Sequence, residues 1–87
     1  MDFGKALNEW VTRSNKVTYQ PVKIFSTGPK YVKITWQNDS GVFAFIEKTT
    51  GDVLMPATWK APAKHARGNI YKVGEEGVEK YGVKYLK

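Results

Sequence analysis

The sequence predicts one α+β domain, an antiparallel sheet of four or five strands with an N-terminal helix packed on one face. Three observations predict it. Residues 2–13 carry apolar side chains at helical spacing. From residue 17 to 55 the chain changes to short β-branched and aromatic runs. Clusters of turn-forming residues separate those runs. Eighty-seven residues suit a single domain whose core is small. Three tryptophans, five tyrosines and four phenylalanines must therefore supply much of its apolar area.

The helix is predicted over residues 2–13. Asp2 suits the N-cap, where its carboxylate accepts a backbone N–H of the first turn. Phe3, Leu7, Trp10 and Val11 share one face, and Ser14-Asn15 ends the helix. A helix this short is marginal alone and must pack on something. Covering the sheet is the first expectation; docking of Trp10 onto a partner is the other.

Residues 17–26, VTYQPVKIFS, favour a strand. Pro21 cannot donate to a ladder, so this strand lies at an edge or is broken by a bulge. An exposed edge there could pair with a second copy of the chain. Thr27-Gly28-Pro29 is a turn. Residues 30–37 alternate, with Val32, Ile34 and Trp36 on one face and Tyr31, Lys33 and Thr35 on the other. After the loop Asn38-Asp39-Ser40-Gly41, the strand from Val42 to Lys48 is apolar on both faces. Alternation sets Val42, Ala44 and Ile46 against Phe43 and Phe45. Such a strand is central and covered on each side. The alternative is that Phe43 and Phe45 form an exposed platform for bases. Thr49–Asp52 turns the chain into Val53-Leu54-Met55, a strand whose continuation Pro56 limits.

Beyond Met55 the chain becomes basic. Pro62 and Gly68 suit the start and the end of one helical turn, on which Lys64 and Arg67 would share a face. Trp59 at its start either anchors the turn or stacks on a ligand. Ile70–Val73 reads as a short strand, Glu75–Tyr81 as a short helix and Val83–Leu86 as a last strand.

The formal net charge is +6. No acid lies between Glu9 and Asp39, a stretch with Arg13, Lys16, Lys23, Lys30 and Lys33. None lies between Asp52 and Glu75, a stretch with Lys60, Lys64, Arg67 and Lys72. This imbalance favours polyanionic partners; the bland alternative is a solvated, solubilising surface. The absence of cysteine excludes disulfides, thiolate metal sites and cysteine nucleophiles. The single histidine, His65, has no acid nearby in sequence to orient it, and no catalytic grouping is visible, so neither an enzyme nor a cofactor is expected. The acid at position 2 and the missing apolar h-region argue against a signal peptide. No apolar run approaches the length of a membrane span, so no membrane partner is expected.

Two resemblances add to this. Trp36, Phe43 and Phe45, followed by Gly51-Asp52-Val53, are similar in order to the cold-shock form of the OB-fold. Leu54, Met55 and Pro56 stand where that family has an aromatic residue and a histidine. More specifically, the run from Phe43 to Ile70, with its core Trp59-Lys60-Ala61-Pro62-Ala63-Lys64-His65-Ala66-Arg67-Gly68-Asn69-Ile70, resembles a segment of small tailed-bacteriophage proteins. That resemblance implies an accessory protein made in the cytoplasm of the infected bacterium. It implies no activity and no site residues.

The function these features imply is non-enzymatic binding of nucleic acid, DNA or RNA, with little sequence specificity. Lys30, Lys33, Lys60, Lys64 and Arg67 are the candidate phosphate contacts. Tyr31, on the strand face of Lys33, and Trp59 are the candidate stacking residues. A second reading is binding of an acidic bacterial host protein that the chain inhibits or redirects. A third is a minor component of the virion.

Overall fold

The computed structural model describes residues 2–38, 40–72, 74, 76–79 and 82–83. One helix, α1 (Phe3–Ser14), precedes five strands: β1 (Val22–Thr27), β2 (Tyr31–Trp36), β3 (Val42–Glu47), β4 (Asp52–Pro56) and β5 (Pro62–Asn69). The five form one antiparallel sheet in the order β1-β2-β3-β4-β5. A separate hairpin of β6 (Val78–Glu79) and β7 (Gly82–Val83) follows. The α+β expectation is met. Each strand of the large sheet pairs with its neighbour in sequence, which is a meander and not the Greek-key order of an OB barrel.

The helix follows the local signals. The Asp2 carboxylate accepts the Lys5 N–H at 2.8 Å, and Asn15 is the C-cap. Leu7 and Trp10 are buried, while Phe3 and Val11 are half-buried against the core. Ala6 joins them with no exposed surface. Trp10 is fully enclosed, so it anchors the helix and is not a docking residue. Beneath it lie Val22, Val32, Ile34, Phe43, Ala44, Ile46 and Val53, closed off by Ile70, Val78 and Val83.

β1 is an edge strand, as the proline foretells, but it starts only after Pro21; residues 17–20, expected as part of the strand, form a turn and bend, and the bulge lies further on, between Ile24 and Ser26. β3 is the middle strand, buried along most of its length. Its alternation departs from expectation at Phe43. A register shift opposite Ile34 and Thr35 leaves Phe43 as an extra residue between Val42 and Ala44. A bulge re-aims the side chain it carries. Phe43 turns to the helix side, where its ring lies 6.3 Å from that of Trp10 and 5.0 Å from that of Trp36. Phe45 keeps its phase, pairs with Leu54 and faces the opposite side, only 3% exposed. Neither phenylalanine is an exposed platform.

Three expectations for the second half are corrected. Residues 62–67 are extended in β5 and form no helical turn, because pairing with β4 supplies the backbone hydrogen bonds. Pro62 is tolerated as the first residue of an edge strand. Residues 70–72 are a turn in place of a strand. No helix spans 75–81: Gly77 sits at φ +73°, outside helical space, and Val78–Glu79 pairs as β6. The predicted last strand is met at Val83. Val73, Glu75, Tyr81 and Leu86, which bound these expectations, lie outside the described residues.

The segment after β5 fastens the helix. Trp10 Nε1 donates to the Glu76 carbonyl at 3.0 Å. Arg13 Nε reaches the Glu76 carboxylate at 3.0 Å, and its Nη2 donates to the Ile70 carbonyl at 3.2 Å. Burial alone would raise the pKa of the Glu76 carboxyl. The Gly74 N–H, which it accepts at 2.6 Å, and the Arg13 guanidinium outweigh burial and hold it below its ordinary value. A carboxyl depressed in the fold stabilises above its unfolded pKa, about 4.3 for glutamate, and that contribution fades as pH falls through the folded value. Glu76→Gln should therefore lower stability by about 1 kcal/mol near neutral pH. The gap to wild type should close in acid. Urea unfolding in neutral and acid buffer measures both; a gap that ignores pH would assign the effect to shape rather than charge.

Candidate nucleic-acid interface

The sheet face opposite α1 carries Lys33 and Phe45, which sit directly across from each other on β2 and β3. Tyr31 lies two residues before Lys33 on the same face, and its ring meets that of Phe45 edge-on at 6.1 Å. The β1–β2 turn, closed by the Gly28 N–H on the Tyr31 carbonyl at 2.9 Å, brings Lys30 beside them. The Lys30 ammonium is 5.3 Å from the Tyr31 ring centre. Lys48 Nζ donates to the Gly28 carbonyl at 3.2 Å and steadies this turn from below.

The β4–β5 loop supplies the other wall. Thr58 closes it: its Oγ1 accepts the N–H groups of Lys60 and Ala61, and its own N–H donates to the Ala61 carbonyl. Pro56 and Pro62 face each other at its base. The sheet curls enough for this loop to reach back over β2 to β1. There the Trp59 ring stands edge-on to Phe25 at 5.4 Å. The Lys33 ammonium sits among three rings, 4.3 Å from the centre of Trp59 and 5.8 Å from those of Phe25 and Phe45.

The result is a hollow of about 230 Å³ lined by Ser26, Gly28, Pro29, Lys30, Tyr31, Lys33, Phe45 and Lys60. No acid lines it. The nearest by strand register is Glu47, opposite Tyr31, whose carboxylate accepts the Thr49 hydroxyl. Lys30, Tyr31, Lys33, Trp59 and Lys60 thus come together, although some thirty residues separate the two groups in sequence.

Lys64 and Arg67 do not join them. Lys64 is exposed on β5. Arg67 donates to the His65 carbonyl and to Met55 Sδ, and it lines a different hollow with Asp52, Asn69 and Lys72. The reason for grouping these two disappears with the helical turn, and a register shift against β4 leaves Arg67 as an extra residue between Ala66 and Gly68. Phe25 belongs to the site but was no sequence candidate. The signal was Pro21: an edge strand with a bulge is where a side chain is re-aimed.

A larger hollow, about 290 Å³, lies elsewhere, among Trp36, Val42, Phe43, Met55, Pro56, Glu79, Gly82 and Val83. Among the described residues its one charged group is the Glu79 carboxylate, which does not suit a polyanion. Among the described residues no group of three or more His, Asp or Glu side chains could hold a metal ion. Among them, too, no helix is long and apolar enough to cross a membrane.

A family model described as a family of unknown function (DUF7717) matches residues 2–81. No curated protein and no solved structure matches the chain.

Proposed function

The chain belongs to DUF7717, a family of unknown function, and from its surface we propose that it binds nucleic acid with little sequence specificity. One observation carries the proposal. Two separate stretches of chain deliver Lys30, Lys33, Lys60 and the Tyr31 ring to one hollow with no acid among its described lining residues, and they set the exposed rings of Phe25 and Trp59 against the Lys33 ammonium. Lys30, Lys33 and Lys60 would neutralise phosphates and release counterions. Tyr31, Phe25 and Trp59 offer ring surface, which every base can use alike, so sequence matters little. The segment from Trp59 to Ile70, which resembles tailed-phage proteins, supports a role as a phage accessory protein in the infected bacterium's cytoplasm.

The test is fluorescence anisotropy with labelled DNA and RNA over a salt series. Affinity should fall linearly on a log–log plot, with a slope of about −2 if three lysines each contact a phosphate of a single strand. A flat salt response, or no binding near physiological salt, would refute the proposal. Capture of an acidic protein from bacterial lysate that survives nuclease would then favour the host-protein reading.

A further inference from the structure

Building on the nucleic-acid reading, we propose that the ligand is an unpaired strand and that the outward surface of Trp59 is a preset shelf for one of its bases. Trp59 is 45% exposed, at the tip of a loop. An exposed tryptophan in such a place ordinarily swings among rotamers, and ordering it on binding costs affinity. Here the ring is already held. Phe25 meets it at an interplanar angle of 75°, and the Lys33 ammonium, rising from the sheet, lies 4.3 Å from its centre. The loop beneath is closed by the Thr58 hydroxyl. Phe25 is itself 46% exposed, so its contact with Trp59 joins two apolar surfaces that would otherwise stand apart in water.

A second ring is paired with a cation in the same way, Tyr31 with Lys30 at 5.3 Å. Phe45 and Lys33 lie between the two pairs. Each pair offers a flat surface for a base next to a charge for a phosphate. That arrangement suits a strand whose bases are free. A duplex keeps its bases stacked inside and could use only the lysines. Trp59 would then add nothing, and two partly exposed, fixed aromatic pairs would have no use.

The experiment compares a labelled oligothymidylate with a hairpin duplex of matched charge, binding to wild type, Trp59→Ala and Trp59→Phe at one salt concentration. The single strand should bind about tenfold more tightly than the duplex, the size expected of stacking on one or two rings. Trp59→Ala should remove most of that preference by weakening the single strand alone. Trp59→Phe should keep most of it. Oligothymidylate should also quench tryptophan emission in wild type and not in Trp59→Phe, a readout that does not depend on the alanine variant folding. Equal affinity for strand and duplex, with a steep salt slope, overturns the shelf and leaves the lysine contacts standing. Trp59→Ala lowering both affinities equally also overturns it. Absence of binding to either probe overturns the nucleic-acid reading as well.

Discussion

Trp10→Ala should lower the stability of the domain by about 3–5 kcal/mol, the cost of emptying a large aromatic site in a packed core. Several losses coincide there. The indole is wholly buried and touches the Phe43 ring. Its Nε1 is also the donor to the Glu76 carbonyl, which would be left without that hydrogen bond. A domain of this size has only about 5–15 kcal/mol of stability in total, so the variant should lose a large share of it and melt well below wild type. Thermal unfolding followed by circular dichroism measures it. Trp10→Phe separates the parts: it restores most of the ring and not the hydrogen bond, and should recover more than half of the loss. A Trp10→Ala protein that melted like wild type would mean that α1 does not hold the core together.

The second large effect concerns binding. Lys30→Glu combined with Lys60→Glu should weaken nucleic-acid affinity roughly a hundredfold or more, since each charge-assisted contact is worth about 1.5–3 kcal/mol. Both lysines are exposed, so the fold should survive. Lys33 is left alone because its ammonium also holds the Trp59 ring. Losing two phosphate contacts should flatten the log–log salt slope for a single strand by about 1.4. The matched control is Lys5→Glu with Lys16→Glu, two exposed residues, one in the first turn of α1 and one just beyond its C-cap, that make the same change in net charge. If the control weakens binding as much, affinity comes from overall charge and the hollow is not the site.

What could be read in advance was what neighbouring residues decide among themselves. The Asp2 cap, the Leu7–Trp10 face of α1 and the alternation of Val32 and Ile34 depend on spacing within one element, and they hold. Pro21 marked an edge strand because a missing N–H is a local fact, although the strand begins only after it. The failures share another cause. Phe43 was placed on the wrong face because its direction is set by a register shift against β2. Residues 62–67 carry helix-compatible end signals, but pairing with β4 overrides a weak propensity. In the site, Lys30, Tyr31 and Lys33 were legible as one strand end, and Trp59 and Lys60 as one basic loop. That the two meet, with Phe25 between them and without Lys64 or Arg67, depends on the curl of the sheet, which no single stretch encodes.

The clasp between α1 and Glu76 also bears on the order in which the molecule assembles. The five strands pair only with sequence neighbours, so the sheet can zip up through short loop closures, each cheap in entropy. The helix cannot be secured that way, since its partner in the Trp10 and Arg13 hydrogen bonds comes more than sixty residues later. On a ribosome making the chain at about 5–20 residues per second, α1 emerges ahead of the five strands and must wait seconds for residue 76. For most of that interval its apolar face has only part of the sheet to rest on, and no latch. Refolding should therefore show the sheet forming before the Trp10 environment becomes native, with α1 locked among the last elements.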